Sequence, residues 1–278
     1  MQLSDLFVPT AARIDMVSML TYFFLLASMY AFLGNFLFSV ISNGLTVPEH
    51  RLTRTMGAVV AGIAALSYYF IQNYYQHMLT DLARLGTAAE QQELIRTSYN
   101  AIGQYRYISW SITTPIMLLT MVLLLRVDPA KAKGSLAALL LADFLMILTG
   151  YIGEQQLDAN GHIVAGPKLF WGAISTAAYL VVPFVLWRLW NRFKGQITVV
   201  ERRAFKLGAL STVTTWGVYP VGYVLSTMAI NMNWIHISFS IADVINKVGL
   251  SVAVYLVGKT MLDERVPKDA TQSAYTIG

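Results

Sequence analysis

The feature that most constrains this chain is a series of long apolar runs separated by short polar connectors, at about 13–42, 52–78, 102–126, 134–153, 168–192, 203–230 and 237–262. Each comes near the ~20 residues a helix needs to cross the hydrocarbon layer of a bilayer. Of the 278 residues, 56% are hydrophobic and 13% charged, too apolar a balance for an ordinary water-soluble domain. Lipid offers backbone amides no hydrogen bonds, so segments of this length cross it as helices. The expected fold is all-α: one seven-transmembrane-helix bundle over 1–278, with no separate soluble domain. The first run is too long and too weakly basic at its start for a cleaved leader and reads as a mature span. Cysteine is absent, which excludes disulfides, thiolate chemistry and cysteine-based metal sites.

The net charge of +5 raises the question of a polyanionic partner, and its distribution answers it. Between the fifth and sixth spans Arg188, Arg192, Lys194, Arg202, Arg203 and Lys206 face the single acid Glu201. The connector after the third span holds Arg126, Lys131 and Lys133. Excess positive charge marks cytoplasmic loops, so the N-terminus is expected outside and the C-terminus in the cytoplasm. The first loop, bearing Arg51 and Arg54, then also lies in the cytoplasm. These cations flank spans without a recognition module, so nucleic acid is not an expected partner. The segment 80–101, with Asp81, Arg84, Glu90, Glu93 and Arg96, is expected to be the longest extracellular loop, its charges solvated. The polar tail beyond Leu262 is expected to fray.

An ionisable group inside a span costs several kcal/mol unless paired, hydrated or neutralised, so each is a functional candidate. In Ser240-Ile-Ala-Asp243-Val-Ile-Asn246-Lys247-Val-Gly249 an acid and a lysine stand at i and i+4 on one helical face. Taken alone, the pair fits a structural ion pair as well as a lysine that carries an aldehyde cofactor as a Schiff base.

The third span separates these readings. Arg106-Tyr107-Ile108-Ser109-Trp110-Ser111-Ile112-Thr113-Thr114-Pro115 resembles the corresponding helix of the microbial rhodopsins: an arginine, a counterion position, a tryptophan, a threonine and a threonine-proline pair. The resemblance continues through Asp143 with Thr149-Gly150, Trp171 with Ala173-Ile-Ser-Thr176, Trp216-Gly-Val-Tyr219-Pro220, and Asp243 before Lys247. It covers nearly the whole chain, with its motifs in the family's order. It is nearest to the proteorhodopsin-related branch that lacks the third-helix aspartate, the mirror proteorhodopsins.

The resemblance implies all-trans retinal bound covalently to Lys247 as a protonated Schiff base, sandwiched by Trp110 and Trp216, with Thr114, Met117, Trp171 and Tyr219 lining the pocket. A polyene needs a flat apolar slot, and indole rings supply large rigid faces. Gly172 stands where bacteriorhodopsin-like pumps often carry a second tryptophan, so that wall is expected to be rearranged. The implied protein is a light-driven ion transporter rather than an enzyme, in a bacterial inner membrane, with lipid around it and homo-oligomers usual among its relatives.

Ser109 takes the usual place of the third-helix proton acceptor, and Thr120 that of the cytoplasmic carboxylic donor. Ser109, Thr113 and Thr120 share a face by helical spacing. Two ion choices follow. In the preferred one Asp243 is sole counterion and primary acceptor, and the proton leaves outward by way of Arg106 and water. In the alternative a chloride near Ser109 and Thr113 is the diffusible counterion and is carried inward. A photosensor acting on a partner helix and a light-gated channel are the other classes compatible with retinal. No metal centre is expected. His236 lies one face-repeat from Asp243 and reads as an interfacial histidine ahead of a proton relay or a cation ligand with His162. Asp143 reads as structural, and Glu154 and Asp158 as solvated carboxylates at a span end.

Overall fold

The computed structural model describes residues 14–265. The helices are α1 (Met16–Ile41), α2 (Pro48–Leu82), α3 (Ala88–Leu124), α4 (Pro129–Glu154), α5 (Ala165–Phe193), α6 (Val199–Thr214), α7 (Val218–Leu225) and α8 (Asn233–Arg265). Among the described residues there is no β-strand, only an isolated antiparallel bridge from Leu157 to Ile163. Neighbours in sequence pack side by side, and α8 returns against both α1 and α2, closing a ring.

α1 turns its polar side inward. On α1 the buried residues Ser18, Thr21, Leu25, Ser28, Phe32, Asn35 and Ser39 alternate in steps of three and four, while Phe23, Tyr30 and Leu37 are exposed. This inverts a soluble helix and suits a lipid surround, where apolar burial does not drive helices together and hydrogen bonds and small residues do. Tyr75 on α2 donates to Asn233 Oδ1 on α8 at 2.7 Å, and Asn233 Nδ2 donates to Ser18 Oγ on α1 at 2.9 Å. Ser39 and Ser251 hydroxyls meet at 3.1 Å farther along the same seam.

Among the described residues six helices are long and apolar enough to cross a membrane by themselves. The sixth crossing is divided between α6 and α7, and the sequence supplies the reason. Pro220 has no N–H and its ring crowds the carbonyl of Trp216, four residues back. The chain accommodates this at 215–217, where Trp216 N reaches Ser211 O and Tyr219 N reaches Trp216 O instead of keeping the regular ladder.

Three expectations need correction. The segment 80–101 is mostly helix: α2 runs to Leu82 and α3 starts at Ala88. Thr87 and Glu90 form a reciprocal capping box there, with Glu90 N donating to Thr87 Oγ1 at 3.2 Å and Thr87 N to Glu90 Oε2 at 3.1 Å. Arg54 is not a loop residue but lies fully buried on α2. The chain past Leu262 continues α8 to Arg265, whose guanidinium meets Glu49 at 2.9 Å; the remainder of the tail lies outside the described residues.

Glu201, the single acid among the basic residues between the fifth and sixth spans, is buried. It caps α6 through Thr198 and accepts from Arg126 Nε at 2.6 Å, with His50 Nε2 at 3.0 Å, tying α6 to α2 and to the end of α3. Arg126 there has a φ of 49°, the left-handed conformation that ends α3.

Candidate functional site

Lys247 and Asp243 are both buried, and Lys247 Nζ donates to Asp243 Oδ1 at 2.9 Å. Their i,i+4 spacing on α8 puts them on one face, and the other helices bring further donors to the carboxylate. Tyr219 OH and Trp110 Nε1 donate to Oδ1 at 2.7 and 3.2 Å. Tyr68 OH donates to Oδ2 at 3.0 Å. Arg106 Nη1 donates to Tyr68 OH at 2.8 Å and stands 3.7 Å from Oδ2, while Nη2 donates to Ser240 Oγ at 3.3 Å. One carboxylate thus has two cations and three neutral donors around it, the degree of pairing that keeps a buried charge ionised.

Beside this cluster is a cavity whose lining includes Lys247 and Asp243. Its walls include Trp110, Thr114, Met117, Met146, Trp216 and Tyr219, and it is mainly apolar. The expected pocket residues Trp110, Thr114, Met117, Trp216 and Tyr219 therefore come together. Trp171 does not line the cavity; its ring lies against Phe170, with centroids 5.7 Å apart. Gly172 and Tyr223 form that wall. Gly172 leaves the space that the Tyr223 ring fills: a Cβ built there would lie 2.4 Å from Tyr223 Cε1. A primary amine lining an aromatic slot fits a long apolar aldehyde joined through nitrogen.

The hydroxyls of Ser109, Thr113 and Thr120 on α3 make no hydrogen bond to the ion pair. Thr113 and Thr120 donate back to the carbonyls of Ser109 and Ile116, each at 2.9 Å. Ser109 Oγ is buried without a partner. Asp143 Oδ2 accepts from Thr114 at 3.0 Å, linking α4 to the pocket wall.

The structure adds residues that sequence reasoning did not single out. Tyr68 sits in an unremarkable apolar run, and its role depends on a partner 175 positions away. Asn246 lines the cavity and accepts from Ser211 and from Thr215. Glu154, which the sequence singled out as a solvated carboxylate, is instead buried against Lys168 Nζ at 2.8 Å and borders the cavity.

His236 is buried between Tyr75 and Tyr99, rather than at an interface, and its carbonyl accepts from Arg106 at 3.5 Å. His162 is held elsewhere, by Glu93 at 2.7 Å and Asp158 at 3.3 Å. Both carboxylates favour its protonated form and raise its proton affinity above the usual histidine value. Backbone N–H groups of His162 and Asn160 stabilise ionised Asp158 and hold its pKa below the usual range.

Comparison with known proteins brings in consistent relatives. The family model described as bacteriorhodopsin-like protein matches residues 18–260. Bacteriorhodopsin of Halobacterium salinarum is 28% identical over 223 residues, covering 79% of this chain and 76% of its own. Archaerhodopsin-2 of Halobacterium sp. is 25% identical over 242 residues, covering 86% and 85%. Among solved structures, Exiguobacterium sibiricum rhodopsin superposes with a TM-score of 0.73 at 24% identity, over 89% of this chain and 99% of its own. Xanthorhodopsin, described as a light-driven ion pump with dual chromophore, does so with a TM-score of 0.73 at 22% identity, over 90% and 96%.

Proposed function

Because the chain belongs to the bacteriorhodopsin-like family, a family of multi-pass membrane proteins, we propose that it is a light-driven pump that binds retinal on Lys247 and moves protons outward. The observation that carries the proton reading is the direct contact of Lys247 Nζ with Asp243 Oδ1 at 2.9 Å, which puts a carboxylate acceptor against the nitrogen that would hold the proton. Retinal supplies absorption of visible light and a change of shape at a double bond; the protein supplies the rest.

Lys247 Nζ holds the proton, and Asp243 is both its counterion and its acceptor. Tyr219, Trp110 and Tyr68 orient the carboxylate by donating to both its oxygens, so a small displacement of the nitrogen alters one contact and leaves the acceptor in position. Arg106, bonded to Tyr68 and Ser240, carries the outward side of the path. Ser109, Thr113 and Thr120 offer no carboxyl on α3, which leaves Asp243 as the acceptor and the opposite side without a carboxylic donor, the mirror proteorhodopsin-like arrangement. The basic ends of α3, α5 and α6 set the orientation: N-terminus outside, C-terminus in the cytoplasm, in a bacterial plasma membrane.

Inward chloride transport is the second reading, and the unpartnered buried hydroxyl of Ser109 favours it, since such a donor suits an anion. Light-driven current in voltage-clamped cells, recorded in chloride and then in sulfate, decides between the readings. An outward current that keeps its sign over a broad voltage range and survives sulfate is expected. A current that requires chloride establishes the anion reading, reversal with voltage a channel, and no current a sensor. Asp243→Asn is expected to shift the absorption band and abolish proton transport; unaltered pumping by that variant removes Asp243 from the acceptor role.

A further inference from the structure

Asn246 stands immediately before Lys247 on α8, is buried, and lines the cavity. The two ends of its amide meet different groups. Oδ1 accepts from Ser211 Oγ and from Thr215 Oγ1, the latter at 2.6 Å. Nδ2 donates to the Tyr219 hydroxyl at 3.4 Å. Tyr219 OH in turn donates to Asp243 Oδ1 at 2.7 Å, the same oxygen that receives Lys247 Nζ at 2.9 Å. A hydrogen-bonded chain thus runs from the end of α6, through Asn246 and Tyr219, to the buried ion pair. The two hydroxyls at its start are 2.9 Å apart, and Thr215 immediately precedes Trp216, a residue of the cavity wall.

The sense of each bond follows from what its atoms can donate. A phenol has one proton and offers it to one acceptor, whereas a primary amide has an oxygen that only accepts and a nitrogen that only donates. The way the amide is turned therefore decides what Tyr219 meets. With Oδ1 held by the two hydroxyls, Nδ2 faces the Tyr219 oxygen, and the phenol proton goes to Asp243. Turned over, the amide would present its oxygen to Tyr219 and compete with Asp243 for that proton. The 3.4 Å contact is long, but this selection requires only that the facing atom be a donor.

We infer that Asn246 is a positioning residue for the counterion: its amide, oriented by Ser211 and Thr215, directs the Tyr219 proton onto Asp243. This rests on the reading of Asp243 as counterion to a retinal-bearing Lys247 and adds to it the group that holds one of the donors in place. The other donors and charges facing Asp243 are Lys247 on α8, Arg106 and Trp110 on α3, and Tyr68 on α2, and their contacts do not pass through Asn246. An asparagine that merely braced α8 against α6 would need the two hydroxyls and not the contact with Tyr219.

Acid titration of the visible band in the retinal-loaded protein separates the two roles, because its midpoint reports protonation of the counterion. A carboxylate that loses a well-aimed donor takes up its proton more readily, by about one pH unit for one hydrogen bond to a charged group. Asn246→Leu is expected to raise the midpoint by about that much. Ser211→Ala with Thr215→Val, which frees the amide to turn, is expected to raise it in the same direction with Asn246 kept. Tyr219→Phe removes the donor itself, so adding Asn246→Leu to it is expected to shift the midpoint no further. A wild-type midpoint in Asn246→Leu, or the same shift with and without the Tyr219 hydroxyl, overturns the positioning role. If Asn246→Leu yields no pigment, the hydroxyl double variant with and without Tyr219→Phe carries the same comparison. Asp243→Asn distinguishes the two levels of the reading: an unaltered acid transition in that variant sinks the counterion reading itself, whereas a transition lost there beside additive shifts sinks only the role of Asn246.

Discussion

On the proposed function cofactor binding depends on Lys247, and the environment of that residue follows from a few neighbours rather than from the bundle at large. The Asp243 contact, the Trp110 and Trp216 walls and the Tyr219 hydroxyl lie within or beside one cavity. Lys247→Ala should abolish the visible chromophore, as read by the absorption spectrum after retinal is added, and an intact band would place the attachment elsewhere. The i,i+4 pair and the third-span motif were legible in sequence because their spacing is local. Tyr68, Glu154 and Arg54 were not, since what defines them is a partner on another helix. Trp171 was misread for a related reason: helical position gives a direction, but Gly172 and Tyr223 decide what fills the wall. Gly172→Ala should force the Tyr223 ring aside and strain its bond to the Lys168 carbonyl, now 3.0 Å. Overpacking of this kind costs about 1–3 kcal/mol, so the temperature at which the visible band is lost should fall; an unchanged temperature would mean that Tyr223 moves freely.

At the scale of elements, hydropathy located the apolar cores of the spans and missed where the helices end. The extra turns of α3 are polar, and what starts them is the Thr87 capping box, a T-x-x-E pattern present in the sequence but silent in an apolar average. The break between α6 and α7 was equally present in Pro220, whose effect shows only once the lost hydrogen bond is traced. The extended α3 brings Glu93 to the loop between α4 and α5, where His162 bridges it to Asp158. The raised His162 pKa makes this clamp contribute stability below the ordinary histidine pKa, and that contribution is lost as pH rises through the folded value. The depressed Asp158 pKa acts oppositely: its contribution is present above the ordinary aspartate value and is lost as pH falls through the folded one. Wild type should therefore exceed His162→Gln in thermal stability most clearly near pH ~5 and approach it in alkaline solution. A difference that does not vary with pH would show that the imidazolium plays no part.

At the scale of the whole molecule, an inward-turned polar seam joins α1, α2 and α8 and continues into the charged pair beside the cavity. The arginines near that seam differ in their partners: Arg106 stands 3.7 Å from Asp243, whereas Arg54 donates to the neutral carbonyl and hydroxyl of Ser251. All-helical architecture and the number of crossings could be read from apolar runs because lipid allows so few backbone solutions. That difference could not, since composition counts charges without saying which are paired. Outward proton transport is the central claim. Its most direct test is the light-induced pH change of intact cells, with and without a protonophore, in chloride and in sulfate. The account predicts acidification of the medium that is indifferent to chloride and abolished by the protonophore; alkalinisation that needs chloride and grows with the protonophore would contradict it.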